Sequence, residues 1–317
     1  MEIEPQFNQI NTEGEDSQRY EGSWERKGRS LNAAAVVGLL GIGVLYFNAQ
    51  AIIFMIGFLF TLAMNPTPET SGTFVERISA TARLYTPSLR ISVVVSQYLF
   101  MLVPTWWLVK RWHTHDVRDY VRFKLKSVIE VILAVLATLA IIPTGAYIGN
   151  ELMRWFKFPD IFFEFYNELF SAHSIPEFIW LVFIIAITPA ICEEIFFRGY
   201  VQRTFERTIR AKSVILVGVI FGLFHMQPLS LITLSILGII FGFFYYRSKS
   251  LVPAMAGHFT NNFLAIYLYY KQPEIGGVNL LTAEQIPISW VLVTLPIGIF
   301  ILYLYYKITK NKNLDYS

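Results

Sequence analysis

Several stretches of about 20 residues contain no charged side chain, and this feature restricts the fold more than any other. An apolar helix of about 20 residues crosses the hydrocarbon core of a bilayer. Of the 317 residues, 54% are hydrophobic and only 15% are charged, which leaves too few polar side chains to cover a soluble fold of this length. The chain is therefore predicted to be an all-α, polytopic integral membrane protein.

The apolar stretches predict eight transmembrane helices. They occupy residues 31–64, 89–109, 128–149, 179–197, 213–225, 229–246, 251–270 and 286–306. As one helix, the first stretch would extend about 50 Å, well beyond a hydrocarbon core of about 30 Å. Either a tilt or a break in this helix is expected to absorb the excess length.

Lysine and arginine are concentrated in alternate connections between these spans. They precede the first span and follow the second, fourth, sixth and eighth, whereas the other connections are poor in both. Basic connections generally stay on the cytoplasmic side of the membrane. The pattern predicts a multi-pass protein of the plasma (inner) membrane with both termini in the cytoplasm. The formal net charge of +3 is explained by this topology, and no nucleic-acid partner is expected.

Composition divides the chain into five parts. Residues 1–30 are polar and poor in aliphatic side chains, which predicts a disordered cytoplasmic tail. Three membrane helices follow in 31–150, and an outer interfacial segment is expected in 151–175, around the aromatic stretch 156–170. Residues 176–270 are predicted to form a catalytic core of helices four to seven, and 271–317 the eighth helix and a basic tail. The connections hold three histidines that are expected to be solvated: His113, His115 and His173.

Charged side chains inside an apolar stretch are costly and point to function. The fourth predicted span carries three of them, Glu193, Glu194 and Arg198. Residues four apart share a helix face, whereas neighbours are rotated by about 100°. Glu194 is therefore expected to pair with Arg198, in the order that favours an i,i+4 ion pair. Glu193 points elsewhere and remains available.

Two later spans carry polar side chains at a similar depth. The fifth span ends at His225, and the seventh carries His258 with Asn262 one turn further on the same face. From the helical rise, Glu193, His225 and His258 lie about 13 to 20 Å from the inner surface, so they can converge. Simpler interpretations also apply: the ion pair can be purely structural, and a membrane histidine can serve only to hydrogen-bond across helices.

These residues form three short motifs, Glu193-Glu194-x-x-x-Arg198, Phe221-x-x-x-His225 and His258-x-x-x-Asn262. Their order and spacing resemble those of the CAAX-prenyl-endopeptidase and bacteriocin-processing family of intramembrane proteases, the Rce1-like, CPBP or Abi proteins. The resemblance covers about residues 179–270. It implies an eight-helix fold whose active site opens to the cytosol, and hydrolysis of a peptide bond in a membrane-associated or prenylated (CAAX-type) protein or peptide.

The resemblance also implies roles for individual residues. Glu193 would activate a water that His225 helps to position, while His258 and Asn262 would stabilise the oxyanion; Glu194 and Arg198 would hold the helix and tune the site. These roles agree with the chemistry of the residues. A buried carboxylate can serve as a general base, and donors preset in a medium of low dielectric constant stabilise a developing oxyanion strongly.

The sequence leaves the role of a metal open. Glu193, His225 and His258 are enough to hold a catalytic zinc with an open position. Against zinc, imidazole ligands usually need a carboxylate partner, and the nearby Glu194 is expected to be occupied by Arg198. We therefore expect a glutamate mechanism without cofactor, with zinc as the alternative. The single cysteine, Cys192, excludes a cysteine-based zinc cluster.

Two other functions fit the same sequence. A fold can persist without its chemistry, so the chain could be a non-catalytic membrane scaffold or a bacteriocin immunity factor. A proton-coupled transporter could use the same groups as a relay, but such transporters tend to contain repeated halves, and we find no internal repeat. The set of Glu193, His225, His258 and Asn262 favours the protease, because a scaffold has little use for it.

Overall fold

Eight helical rods run alternately up and down in the part of the chain that the structure describes. This computed structural model describes residues 20–65, 74–156, 169–271, 274–275, 278–279 and 286–310. The first rod is α1, Leu31–Met64, a single unbroken helix of 34 residues. A tilt or a break was expected for this long apolar stretch, and the structure shows no break.

Two of the rods contain π-helical turns. The second rod consists of α2, Phe74–Val95, a π-helical turn, Ser96–Leu102, and α3, Val103–Trp112; the short α4, Val117–Tyr120, follows. The third rod is α5, Val128–Phe156. The fourth consists of α6, Ile175–Leu181, a π-helical turn, Val182–Ile187, α7, Thr188–Glu194, a second π-helical turn, Ile195–Gln202, and α8, Arg203–Ile209.

The last four rods are single helices. They are α9, Lys212–Phe224, α10, Leu231–Ser248, α11, Val252–Lys271, and α12, Ile288–Ile308. A two-residue antiparallel ladder, Glu274–Ile275 with Val278–Asn279, lies between the last two. The fold is thus essentially all-helical. Of the predicted interfacial segment 151–175, residues 157–168 lie outside the described part, residues 151–156 continue α5, and residues 169–175 lead into α6.

Among the described residues, six of the rods are long and apolar enough to cross a membrane. Helix α9 is apolar but has only 13 residues, and α11, with its polar side chains, does not reach the same hydropathy. Large hydrophobic side chains are exposed along most of the rods, as a lipid environment requires. The structure is therefore that of a multi-pass membrane protein, and the count of eight spans stays a prediction.

Two of the three π-helical turns, Ser96–Leu102 and Val182–Ile187, are each followed by a proline. Pro104 and Pro189 occupy the second position of the α-helix that follows a π-helical turn. Proline has no backbone N–H, so it interrupts the i→i−4 hydrogen-bond ladder. The π-helical hydrogen-bond pattern accommodates the missing N–H without ending the rod. Such π-bulges are frequent at functional sites. Both of these turns lie beside the polar residues of the fourth rod.

Small residues bring α9 and α10 into close contact. A Cβ atom added to Gly238 would lie 2.6 Å from the carbonyl oxygen of Gly218, and one added to Gly222 would lie 2.9 Å from the backbone of Leu231 and Ser235. Close backbone approach of this kind stabilises helix pairs in membranes, where no hydrophobic effect drives them together. The pair therefore depends on these glycines.

The basic connections meet at one end of the bundle. Glu206 accepts two hydrogen bonds of 2.8 Å from the guanidinium of Arg122 and one of 2.7 Å from Lys249 Nζ. Arg203 lies 3.9 Å from the same carboxylate, and Arg247 donates to the C-terminal end of α12 at the carbonyl of Tyr306. All eight rods therefore have one end at this network, which we call the basic end.

Part of the predicted N-terminal tail is ordered at the basic end. The backbone of Gly22 and Trp24 donates to residues His113 and Trp112, and the ring of Trp24 lies 4.6 Å from that of Trp112. Disorder was expected for residues 1–30, so this expectation is wrong for 20–30; residues 1–19 lie outside the described part. Composition did not predict this order, because it depends on contacts of a few aromatic and charged side chains with distant residues.

His113 is likewise buried, contrary to the expectation that it is solvated. Its Nδ1 lies 2.6 Å from Glu25 Oε1, and its side chain is fully buried. Burial opposes ionisation of Glu25, but the hydrogen bonds from His113 and Arg207 lower its pKa. The ion pair between Glu25 and Arg207 fixes the tail to α8. His115 is 71% exposed, as expected.

We predict that Gly238→Ala destabilises the protein by about 1–3 kcal/mol, because the new methyl group collides with backbone that cannot move aside. Gly41→Ala is the matched control, since nothing lies within 4 Å of an added Cβ at that position of α1. Thermal unfolding of the purified protein in detergent measures the difference. Equal unfolding temperatures of the two variants would contradict the close α9–α10 contact.

Candidate active site

The fourth rod places its two adjacent glutamates in different environments. Glu194 is fully buried, and its Oε1 accepts a hydrogen bond of 2.8 Å from Arg198 Nη1. Glu193, at 8% exposure, borders the main cavity instead. The predicted i,i+4 pair is thus present, and the predicted separation of the two carboxylates follows from helix geometry.

Arg198 contacts an ion-pair partner, a backbone carbonyl and aromatic rings. Its Nη2 donates to the carbonyl oxygen of Gly238 at 3.0 Å, which ties the fourth rod to α10. The guanidinium carbon lies 4.4 Å from the ring centre of Phe221 and 5.7 Å from that of Phe241. Aromatic faces attract cations, more strongly when the cation is desolvated. The charge is therefore compensated by one carboxylate, one carbonyl and two rings.

Glu194 also binds His258, which the sequence did not indicate. Nδ1 of His258 lies 2.8 Å from Glu194 Oε1, the same oxygen that accepts from Arg198. A carboxylate can only accept, so Nδ1 carries the hydrogen. The ring also stacks on Phe241 at 5.3 Å. The expectation that Arg198 occupies Glu194 alone is therefore wrong: this carboxylate orients His258 as well.

His225 faces Glu193. Its Nε2 lies 3.7 Å from Glu193 Oε2, and its Nδ1 donates to the carbonyl oxygen of Phe221 at 2.7 Å. Because a carbonyl only accepts, this bond places the hydrogen on Nδ1 and leaves the lone pair of a neutral ring on Nε2. The next residue, Met226, has a positive φ of 51°, which is uncommon for a side chain of this kind. The backbone thus turns sharply right after His225.

Asn262 lies on the opposite wall and is partly engaged. Its Nδ2 donates to the carbonyl oxygen of Ile185 at 2.8 Å, inside the first π-helical turn of the fourth rod. Its Oδ1 accepts from Asn261. An amide nitrogen has two hydrogens, so one remains for a ligand. Asn261 and Asn262 both line the cavity.

These polar groups line a cavity of about 810 Å³. The cavity brings together Glu193, His225, His258 and Asn262, the four residues that the sequence singled out as catalytic. Most of its wall is apolar, with side chains such as Phe47, Phe54, Ile141 and Phe224. Ligand sites commonly combine an apolar wall with a few convergent polar groups. Glu194 and Arg198 are not part of the wall and lie behind it.

A zinc ion, the alternative cofactor, would need Glu193, His225 and His258 around one point. Within the residues that the structure describes, no group of three or more histidine, cysteine, aspartate or glutamate side chains is arranged to hold a metal ion. Glu193 and His225 approach each other, whereas His258 is turned towards Glu194. The three side chains expected to bind zinc are therefore divided between two separate pairs.

The position of these residues in the chain agrees with a comparison with known families. Residues 175–264 match the family model of the Rce1-like type II CAAX prenyl endopeptidases. The matched segment starts at α6 and contains all three motifs, so the resemblance drawn from the motifs is confirmed. The Rce1-like proteins are a protease family, which supports a peptidase. Comparisons with curated proteins and with solved structures found no match.

Gln97 lies outside the matched segment and also reaches the site, although no prediction was made for it from the sequence. Gln97, in the π-helical turn of the second rod, donates from Nε2 to Glu193 Oε1 at 3.0 Å. It is 3% exposed. Unlike Asn262, Gln97 has no histidine or glutamate one turn away, but an amide within a predicted membrane span was the available signal. Gln97 holds one oxygen of Glu193 and leaves the other facing His225.

We predict that Arg198→Met destabilises the protein by about 3–5 kcal/mol, because it removes one partner of a buried ion pair. Adding Glu194→Gln should recover most of this loss, since a neutral amide still accepts from His258. Thermal unfolding in detergent gives both values. If the single variant were as stable as the wild type, Arg198 would not be needed to compensate Glu194.

We predict that Gln97→Leu lowers peptide processing by roughly 10- to 100-fold, since a hydrogen bond to a charged group contributes about 1.5–3 kcal/mol. Protein abundance should stay near the wild-type level. Asn48→Leu makes the same type of change on α1, where the side chain donates only to its own helix at Val44, and should leave processing unchanged. Unaltered processing in Gln97→Leu would show that Glu193 needs no such support.

Proposed function

We propose that this protein is an intramembrane endopeptidase in which Glu193 activates a water for attack on a peptide bond of a membrane-associated substrate. The observation that carries the proposal is the pairing of Glu193 with His225 on the wall of a mostly apolar cavity. Their facing atoms are 3.7 Å apart, so one water can hydrogen-bond to both. The match to the Rce1-like proteases supports the same reaction class.

The hydrogen-bond partners assign a role to each group around this water. His225 presents the lone pair of Nε2, because Nδ1 donates to Phe221. The water donates one hydrogen to His225 and the other to Glu193, and its oxygen lone pair is then directed at the scissile carbonyl carbon. As the C–O bond forms, Glu193 takes the proton, and it later gives this proton to the leaving amine nitrogen.

The developing oxyanion needs hydrogen-bond donors on the opposite side. His258 is suited to this role because its Nδ1 donates to Glu194, so that the imidazolium form offers a second N–H, at Nε2. Asn262 contributes its second amide hydrogen. Donors fixed in a site of low dielectric constant contribute strongly to the rate, because they do not have to reorient during the reaction.

The proposed topology has eight spans with both termini cytoplasmic, and the substrate is a peptide or protein held in the bilayer. A prenylated CAAX-type chain is one member of this class. Two observations support the eight spans: the basic connections all meet at one end of the bundle, and each of the eight rods has an end there.

We predict that Glu193→Gln lowers processing by at least about 100-fold while the protein is inserted at wild-type levels, since general-base catalysis contributes roughly 10²- to 10⁴-fold. Comparative peptidomics of membranes that contain either form measures this even while the substrate is unidentified. Glu151→Gln, at the far end of α5 and outside the cavity wall, is the control. Identical peptide profiles for wild type and Glu193→Gln would favour the non-catalytic scaffold.

A further inference from the structure

Helix α1 carries no charged side chain, yet it contributes a polar group beside Glu193. The helix is fixed against the fourth rod by Tyr200, whose hydroxyl donates to the carbonyl oxygen of Ala34 at 2.6 Å. At Gly38, one turn further, an added Cβ would lie 2.2 Å from the same hydroxyl. Because this contact sets the position of α1 along the fourth rod, Tyr46 lies at the level of Glu193, and both line the cavity.

The ring of Tyr46 is packed, while its hydroxyl meets the polar side chains of the site. The ring stacks on that of Phe224, with the two centroids 5.8 Å apart, and only 8% of the residue is exposed. The hydroxyl interacts with the side chains of Gln97 and Ser96 and with the charge of Glu193. Tyr46 therefore places an O–H group beside the π-helical turn of the second rod.

The amide of Gln97 has one hydrogen-bonding atom left over. Its Nε2 donates to Glu193 Oε1 at 3.0 Å. Because a carboxylate only accepts, the amide nitrogen has to face Glu193, and Oε1 of Gln97 points away from it. This oxygen is buried, and within the described part of the chain it has no hydrogen-bond partner. A buried acceptor without a donor is costly, and an amide that turned over would lose its bond to Glu193.

Of the two hydroxyls beside this amide, that of Tyr46 is the suitable donor. Ser96 Oγ already donates its hydrogen to the carbonyl oxygen of Val93 at 3.0 Å. The Tyr46 hydroxyl lies beside the same amide. It can donate to Oε1 of Gln97 directly or through one bridging water, and a bridging water serves nearly as well as a direct bond. Either contact keeps the amide in the orientation that Glu193 requires.

We propose that Tyr46 is a positioning residue of the active site: its hydroxyl holds Oε1 of Gln97, so that Nε2 stays directed at Glu193. The inference rests on the proposed peptidase function and adds to it a chain of three side chains from α1, the second rod and the fourth rod. Tyr46 acts through Gln97 and not on the reacting atoms. Both residues precede the segment 175–264 that matches the Rce1-like family model, so the family resemblance does not supply this pair.

Tyr46→Phe tests the proposal, because it removes the hydroxyl and keeps the stacked ring. The substrate is a synthetic membrane-anchored peptide with a bond that the wild type cleaves and Glu193→Gln does not. We expect kcat to fall roughly 3- to 10-fold, the loss that one neutral hydrogen bond explains, with KM and the unfolding temperature unchanged. In a Gln97→Leu background the same change should cause no further loss. Tyr98→Phe, in the same π-helical turn but outside the cavity wall, is the matched control and should keep the wild-type kcat.

A wild-type kcat in Tyr46→Phe would overturn the inference, and so would a loss that is the same with and without Gln97 or one that appears only in KM. Infrared spectroscopy adds a readout that does not depend on cleavage. The carboxyl band that disappears in Glu193→Gln should shift in Tyr46→Phe and stay in place in Tyr98→Phe; an unshifted band in Tyr46→Phe would refute the contact. Cleavage that survives Glu193→Gln would refute the peptidase itself, and the infrared band would then still decide whether Tyr46 acts on Glu193 through Gln97.

Discussion

The structure depends on one buried carboxylate that compensates a cation and orients an imidazole. Glu194 accepts hydrogen bonds from both Arg198 and His258, at 2.8 Å each. Ionisable groups inside a membrane are expensive unless they pair with one another or with backbone carbonyls, and here Arg198 also donates to Gly238. Three rods, the fourth, α10 and α11, therefore meet at this point. Removing any of the three side chains would leave a buried polar group without its partner.

The same arrangement leaves the neighbouring carboxylate available. Because adjacent residues of a helix point in different directions, the structural demand on Glu194 places Glu193 on the cavity side. There its oxygens meet Gln97 and His225, which come from two further rods. The two adjacent glutamates thus have different surroundings: Glu193 faces the cavity, and Glu194 joins three rods through its hydrogen bonds.

Much of this could be predicted from sequence, because its causes are local. The length of the apolar stretches predicted the helices, and the spacing of four residues predicted the ion pair between Glu194 and Arg198. Contacts between distant segments could not be predicted in this way: His258 is 64 residues from Glu194, and Gln97 is 96 residues from Glu193. The order of residues 20–30 was missed for the same reason, since it depends on Trp112, His113 and Arg207 far along the chain. Composition alone gives no sign of such partners.

The central claim is that Glu194 holds Arg198 and His258 while Glu193 faces His225, and an experimental structure in lipid tests it most directly. The account predicts His258 Nδ1 within hydrogen-bond distance of Glu194, and an ordered water that contacts both Glu193 Oε2 and His225 Nε2. A structure in which Glu193 faces lipid, or lies far from both histidines, would contradict it.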